Sequence, residues 1–198
     1  MKRWIPFVLF LAVPLIAGEV TVGKPAPDFR LTDIDGKTRS LSEFKGKTVV
    51  LEWTNYGCPF VRKHYGSGNM QKLQKEWTGK GVAWLSICSS AEGKEGNMTP
   101  DEWKKASAER GAASTAILLD PDGKVGKLYG AKTTPHMFIV DPKGTLVYKG
   151  AIDDRPSTDP ADIPGAKNYV QRALEDLTAG RPVREALTTS YGCSVKYK

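Results

Sequence analysis

The stretch Thr48–Tyr65, T-V-V-L-E-W-T-N-Y-G-C-P-F-V-R-K-H-Y, decides how this chain is read. Its first six residues form a short, β-branched and largely apolar run of the kind that fills a sheet interior. Asn55, Tyr56 and Gly57 break the run. From Pro59 onward the apolar positions Phe60, Val61, Met70, Leu73 and Trp77 suit a helix, with a kinked or looped opening around Gly66 and Gly68. Proline is tolerated at a first helical position because the N–H it lacks would have no partner there. Cys58 therefore sits where a buried strand runs into a helix N-terminus. A thiol in that place faces unpaired N–H groups and the positive end of the helix dipole, and both favour the thiolate. Arg62, Lys63 and His64 follow within two turns and act in the same direction. Cys58 is the expected nucleophile, and the competing reading is a small buried core cysteine.

Before this stretch, Met1-Lys2-Arg3 supplies a positive start and Trp4–Ala17 an uncharged apolar run. That run is shorter than the ~20 residues of a spanning helix and matches the core of an export signal, with an uncleaved anchor as the alternative. Residues 1–18 are read as a signal peptide, 19–180 as one domain, and 181–198 as a C-terminal tail carrying Cys193. A domain of that size buries about 70% of its unfolded surface, so it needs no disulfide staples. Three cysteines are too few, and an odd number, for a secreted disulfide scaffold. The expected localisation is an exported one, periplasmic or secreted, without stable membrane insertion once the signal is removed. The net charge of +7 is spread over scattered lysines, with no basic tract interleaved with aromatics. A nucleic-acid partner is therefore not expected. Neither a G-x-G-x-x-G, a P-loop nor zinc-spaced Cys/His patterns occur, so no nucleotide cofactor and no metal is expected.

Downstream, alternation of strands and helices continues. A hairpin turning at Asp35-Gly36-Lys37 precedes the key stretch, and Leu41–Phe44 reads as one helical turn. Val82–Ile87 is a second buried strand ending at Cys88. Thr99-Pro100-Asp101-Glu102 opens a helix to about Arg110. Ala116–Leu119 is a third strand, and 125–129 a short helix. His136–Val140 and Thr145–Lys149 form a hairpin about Asp141-Pro142-Lys143-Gly144. Residues 150–164 read as a loop, and Asn168–Ala179 as an amphipathic helix. The order implies an α/β fold with a parallel part and an antiparallel edge.

The opening G-K-P-A-P-D-F, the strand–Cys58–Pro59–helix junction, Thr134-Pro135 and the tail G-C-S-V-K-Y together resemble the thioredoxin-fold redoxins, the group of peroxiredoxins and alkyl hydroperoxide reductases. The likeness runs from about Val22 to Lys198. It implies a thioredoxin-like fold with an N-terminal β-hairpin extension and a central mixed sheet flanked by helices. It also implies thiol chemistry at Cys58, either on a peroxide or on a protein disulfide, with electrons from a thiol reductant not named by the sequence. Relatives form dimers, so a homodimer is among the states implied. Thr134 and Pro135 match the loop that lies against the nucleophile in relatives, with Pro135 in the cis form. Two departures stand out. The second position of a Cys-x-x-Cys pair is Val61, and the hydroxyl that orients peroxide in peroxiredoxins is replaced by Asn55.

Both chemistries require a second thiol, to resolve a sulfenic acid or a mixed disulfide. Cys193, in a Gly-Cys-Ser tail, is the first candidate. Cys88, at the end of the neighbouring strand, is the second. Arg62, Arg110 and Arg155 are candidates to polarise a peroxide, Arg62 on proximity. The alternative to an enzyme is a thioredoxin-fold module that binds copper or a client protein, in which His136 would be a ligand.

Overall fold

The structure, a computed structural model, describes residues 20–198, so the signal-peptide reading of 1–18 lies outside the described residues. Its centre is a seven-stranded mixed sheet. Strands β1 (Arg30–Asp33) and β2 (Thr38–Ser40) form the N-terminal hairpin, and the key stretch gives β3 (Val49–Trp53) followed by α1 (Pro59–Gly66). Then come α2 (Asn69–Gly79), β4 (Ala83–Cys88), α3 (Pro100–Glu109), β5 (Ala116–Leu119) and α4 (Lys124–Tyr129). The chain continues through β6 (Thr133–Thr134), β7 (His136–Val140), β8 (Leu146–Gly150), α5 (Tyr169–Thr178) and β9 (Cys193–Ser194). Strand order in the large sheet is β2-β1-β5-β4-β3-β7-β8, and β6 pairs separately with β9.

Strand β3 lies parallel to β4 and antiparallel to β7, each of its five residues paired on both sides. The late hairpin therefore supplies the antiparallel edge expected of it. The N-terminal hairpin joins the opposite edge, because β1 pairs antiparallel with β5. Alternation along β3 divides the core in two. Val50 packs with Val61, Met70, Leu73 and Trp77 under the α1–α2 layer, while Val49, Leu51 and Trp53 pack with Phe29, Tyr129 and Phe138 on the other face. The break between α1 and α2 falls where the sequence asks for it, at Gly68, whose φ of +78 is a left-handed conformation that glycine adopts without strain.

One residue of β3 does not follow the apolar pattern. Glu52 is fully buried, and its carboxylate accepts from Trp84 Nε1 at 2.8 Å, Ser86 Oγ at 3.0 Å, Gln74 Nε2 at 3.2 Å and Tyr65 OH at 3.2 Å. Burial pushes its pKa upward, and the bonds from Trp84, Ser86 and Tyr65 oppose that. These bonds tie β3, β4, α1 and α2 to one point beneath the active-site helix.

Two segments differ from the sequence expectation. Within the 150–164 loop, Pro160–Gly165 forms a 3₁₀ helix capped by Asp159, whose side chain accepts from the Ala161 N–H. The tail beyond residue 180 is not loose. Its backbone bonds to β8 through Lys149 N to Ala186 O (3.0 Å) and Thr188 N to Lys149 O (3.1 Å). It then crosses to the residue before β6, where Val195 N donates to Lys132 O at 3.0 Å, and to the loop after β4, where Ala91 N donates to Lys196 O at 2.9 Å. Among the described residues no helix is long and apolar enough to cross a membrane.

Leu85, at the middle of the sheet and 0% exposed, measures how far the core depends on this layering. Leu85→Ala is expected to cost about 2–5 kcal/mol in equilibrium denaturation, the usual range for a buried Leu→Ala cavity.

Candidate active site around Cys58

Cys58 is the N-cap of α1, with Pro59 at the first helical position as expected from the sequence. The chain reaches it through a tight turn in which Cys58 N donates to Asn55 O at 3.0 Å, and Arg62 N then donates to Cys58 O at 2.9 Å. The residue is fully buried, and its thiol donates to the carbonyl oxygen of Thr134 at 3.1 Å. The Thr134–Pro135 bond is cis, in agreement with what the resemblance implies.

Thr134 is also the residue that pairs with Cys193 in the β6–β9 ladder. One stretch of backbone thus brings the helix-start thiol and the tail strand that carries Cys193 together. Gly192 makes this crossing feasible. A Cβ there would lie 2.1 Å from Thr134 O, and its φ of +139 is a conformation in which side chains are strained. All three cysteines are free thiols.

The two thiols are electrostatically unlike. Burial pushes the Cys58 thiol up, but hydrogen bonds from the Cys193 and Thr134 side chains and from the Val61 and Cys193 N–H groups outweigh it and hold Cys58 below its ordinary value. The Thr134 hydroxyl is itself buried without a hydrogen-bond partner. For Cys193, burial and then the hydrogen bond to Cys58 and the charge on Cys58 act in one direction, and the thiol is pushed up to about 11. Of the pair, Cys58 is the thiol that ionises more readily, and Cys193 is the one that keeps its proton at neutral pH.

The other sequence candidates are placed differently. Asn55 is next to the site, but its side chain is engaged: Oδ1 accepts from Gly57 N at 2.9 Å, and Nδ2 donates to Glu95 O at 3.1 Å and Glu95 Oε1 at 3.2 Å. Cys88 is buried against the 89–98 loop and donates to Gly96 O at 3.3 Å, with burial raising its pKa. Arg62 is exposed. Arg110 stacks on the Tyr56 ring at 4.6 Å and donates to Ala106 O at 2.9 Å. The guanidinium of Arg155 reaches Gly165 O at 3.4 Å and lies 3.6 Å from Asp154. His136 is buried, its Nδ1 accepting from Lys132 N at 3.2 Å and its ring 4.4 Å from Phe138. Among the described residues no group of three or more His, Cys, Asp or Glu side chains could hold a metal ion.

Residues the sequence reading did not single out complete the surroundings, together with His64, which is not the cation expected to favour the Cys58 thiolate because burial lowers its pKa to about 4. Glu95 lies against Gly57, where a Cβ would meet its carboxylate at 2.8 Å. Tyr191, Asp153 and His64 form a polar cluster behind the tail: Tyr191 OH donates to Asp153 Oδ1 and lies 3.3 Å from His64 Nε2. The only signal in the sequence for this cluster was the Tyr-Gly-Cys run itself.

A mixed sheet with a thiol at the helix start and a cis-proline loop facing it defines a thioredoxin-like fold. Solved structures agree. An uncharacterised conserved protein from Geobacillus kaustophilus superposes with a TM-score of 0.78 at 32% identity, over 90% of this chain and 93% of that one. The thioredoxin domain of a thiol-disulfide oxidoreductase from Bacteroides vulgatus gives a TM-score of 0.53 at 27% identity, over 74% and 97%. Residues 22–149 match the AhpC/TSA family, and the chain belongs to that family. Among curated proteins, it is 28% identical to the thioredoxin-like protein YneN of Bacillus subtilis over 74% of this chain and 88% of that one. It is 26% identical to the thiol-disulfide oxidoreductase ResA of Bacillus cereus (66% and 70%) and 31% identical to the chloroplastic peroxiredoxin Q of Triticum aestivum (68% and 60%). Thiol oxidoreductase or peroxidase chemistry is what the relatives named for an activity carry.

The asymmetry of the pair gives a direct expectation. The pH midpoint for alkylation of Cys58 by iodoacetamide should lie below that of an ordinary thiol, and Cys193→Ala should move it upward by removing a donor. A midpoint unmoved by that substitution would contradict the hydrogen-bonded pair.

Buried His64 gives a second expectation, for stability. Burial lowers its pKa to about 4, with Asp153 opposing and Lys63 assisting. The unfolded chain takes up this proton first, at about 6.5, so folding stability should decline as pH falls from there towards 4. Thermal melts across that window should show a shallower pH slope for His64→Gln than for the wild type.

Proposed function

We propose that this protein is a two-cysteine thiol–disulfide oxidoreductase whose redox couple is split between a helix start and the C-terminal strand, with Cys58 as nucleophile and Cys193 as resolving thiol. The observation that carries the reading is the pairing of Thr134 with Cys193, which sets the protonated tail thiol against the Cys58 sulfur.

The Cys58 thiolate attacks one sulfur of a protein disulfide. A Cys58–S–S mixed disulfide forms, the substrate S–S bond breaks, and the first substrate sulfur leaves as a thiolate. Cys193 then loses its proton and attacks Cys58 Sγ, forming the Cys58–Cys193 disulfide and releasing the second substrate thiol, which takes the proton. The substrate gains two electrons from the couple, one proton from Cys193 and one from solvent, which had taken up the proton Cys58 released on ionising. An external thiol reductant restores the dithiol. Cys58 thus needs no second cysteine at position 61, where Val61 is fully buried in the core. The apolar leader at 4–17 goes with export, so we expect turnover in an oxidising compartment, and a homodimer is not required by this cycle.

Peroxide reduction is the second reading, favoured by the full burial of Cys58, which suits a small oxidant better than a folded client. There the thiolate attacks a peroxide oxygen, the O–O bond breaks and an alcohol or water leaves. Cys193 then converts the sulfenic acid to the same disulfide with loss of water. Against it stands Asn55, whose two side-chain N–H groups are already given to Glu95 and so do not donate to a peroxide.

The reduced protein, treated separately with oxidised glutathione and with stoichiometric hydrogen peroxide and then alkylated, should yield by peptide mass spectrometry a Cys58–Cys193 disulfide with Cys88 alkylated. Formation at least tenfold faster with glutathione disulfide supports the first reading, and the reverse supports the second. Over-oxidised Cys58 beside a free, alkylated Cys193 would sink both.

A further inference from the structure

The tail that carries Cys193 is held by a pair of two-residue strands, and a ladder that short has little stability of its own. On the far side of Cys193 the chain is secured by Val195 N to Lys132 O at 3.0 Å and by Tyr197 OH to Ala131 O at 2.8 Å. On the near side Gly192, the most conformationally free residue type, would act as a hinge unless the residue before it is fixed. Tyr191 is that residue. It is gripped by α1, the helix whose N-terminus carries Cys58. The Phe60 and Tyr191 ring centroids are 5.8 Å apart, and Lys63 Nζ lies 5.8 Å from the Tyr191 ring while donating to Arg155 O at 2.8 Å. Tyr191 OH donates to Asp153 and receives a bond from His64 Nε2, 3.3 Å away.

That grip has a defined polarity. Asn69 Nδ2, which can only donate, lies 2.9 Å from His64 Nδ1, so Nδ1 is the acceptor and Nε2 carries the proton. Asp153 is oriented in turn by the Arg155 N–H at 2.9 Å. Both His64 and Asp153 are fully buried. A satisfied buried polar cluster of this kind fixes one arrangement, since displacing the tyrosine hydroxyl leaves a buried carboxylate short of a donor.

We infer that Tyr191 is a positioning residue, which together with Asp153 and His64 latches the Tyr-Gly-Cys segment to α1 and holds Cys193 at bonding range of Cys58. The inference rests on the Cys58–Cys193 couple proposed above. A thiol held in place reacts as an effectively unimolecular partner, and one on a hinged tail loses much of that advantage.

The test is the equilibrium of the Cys58–Cys193 disulfide against glutathione redox buffers, read as an effective concentration, together with the Cys58 alkylation midpoint. Tyr191→Phe keeps the ring against Phe60 and removes the hydroxyl. Its effective concentration should fall about tenfold, the size expected for losing one hydrogen bond to a charged group, and the Cys58 midpoint should rise because Cys193 no longer stays beside it. A tyrosine that serves stability alone would leave both values unchanged, and that result overturns the latch. Should Tyr191→Phe fail to fold by near-UV circular dichroism, Asp153→Asn and Asp153→Leu decide instead. The amide still accepts from Tyr191 and should retain most of the effective concentration, whereas Leu should lose it, and equal values for the two overturn the proposal. A wild type that forms no Cys58–Cys193 disulfide removes the couple itself, while a wild type that forms it with Tyr191→Phe unaffected removes only the latch.

Discussion

The site depends on the backbone of one residue, Thr134. Its carbonyl oxygen accepts the Cys58 thiol at 3.1 Å, its strand position pairs with Cys193, and the approach of the tail to that same oxygen leaves room only for glycine at 192. Each of these contacts is small. They coincide because the long, continuous pairing of β3 with β4 and β7 fixes both the helix start that presents Cys58 and the turn into β7 that presents Thr134. Trp53, the last residue of β3, pairs with His136, directly after Pro135, so the strand that delivers the nucleophile is hydrogen-bonded to the strand that follows the facing loop. The sheet register therefore sets the thiol-to-carbonyl distance, and the side chains refine it.

Separating the two cysteines changes what local sequence has to accomplish. In a Cys-x-x-Cys turn the second thiol occupies the helix and is brought near by helical geometry alone. Here the first turn of α1 is released for packing, with Val61 in the core. The second thiol is instead delivered by tertiary structure: the bonds of the tail to β8, the β6–β9 pair and the tyrosine on α1. Proximity obtained this way can be tuned by the stability of the tail without disturbing the helix dipole acting on Cys58.

The parts of this arrangement legible in the sequence are those with short-range causes. The T-V-V-L-E-W run, the Asn-Tyr-Gly break and Cys58-Pro59 announce a strand, a turn and a helix start through β-branching, turn chemistry and the tolerance of proline at the first helical position. Gly68 and the Asp141–Gly144 turn were equally plain. Less legible were contacts whose cause is distant. A two-residue strand has no periodicity to detect, so β6 and β9 read as loop and tail. The Pro160–Gly165 turn was hidden in a loop rich in proline and acid. Glu52, read within an apolar strand, has its four donors on three other elements. Tyr191, Asp153 and His64 lie far apart along the chain, and nothing in the residues next to any one of them points to the other two.

The contrast between Cys58 and Cys88 isolates what makes a cysteine reactive in this fold. Both are buried, and in both burial alone raises the pKa. Each thiol also donates to a backbone carbonyl, Thr134 O in one case and Gly96 O in the other. What differs is the set of donors directed back at the sulfur. Cys58 receives a helix-start N–H, the Cys193 N–H and thiol, and the Thr134 hydroxyl, and the sum reverses the effect of burial. Cys88 has only Ser90 to oppose burial and the negative charge of Asp120 to reinforce it, and its thiol stays neutral. The core cysteine that competed with the nucleophile as a reading of Cys58 does exist in this chain, one strand away at Cys88. Local donor density, which follows from the helix start and the tail crossing above it, separates the two more sharply than exposure does.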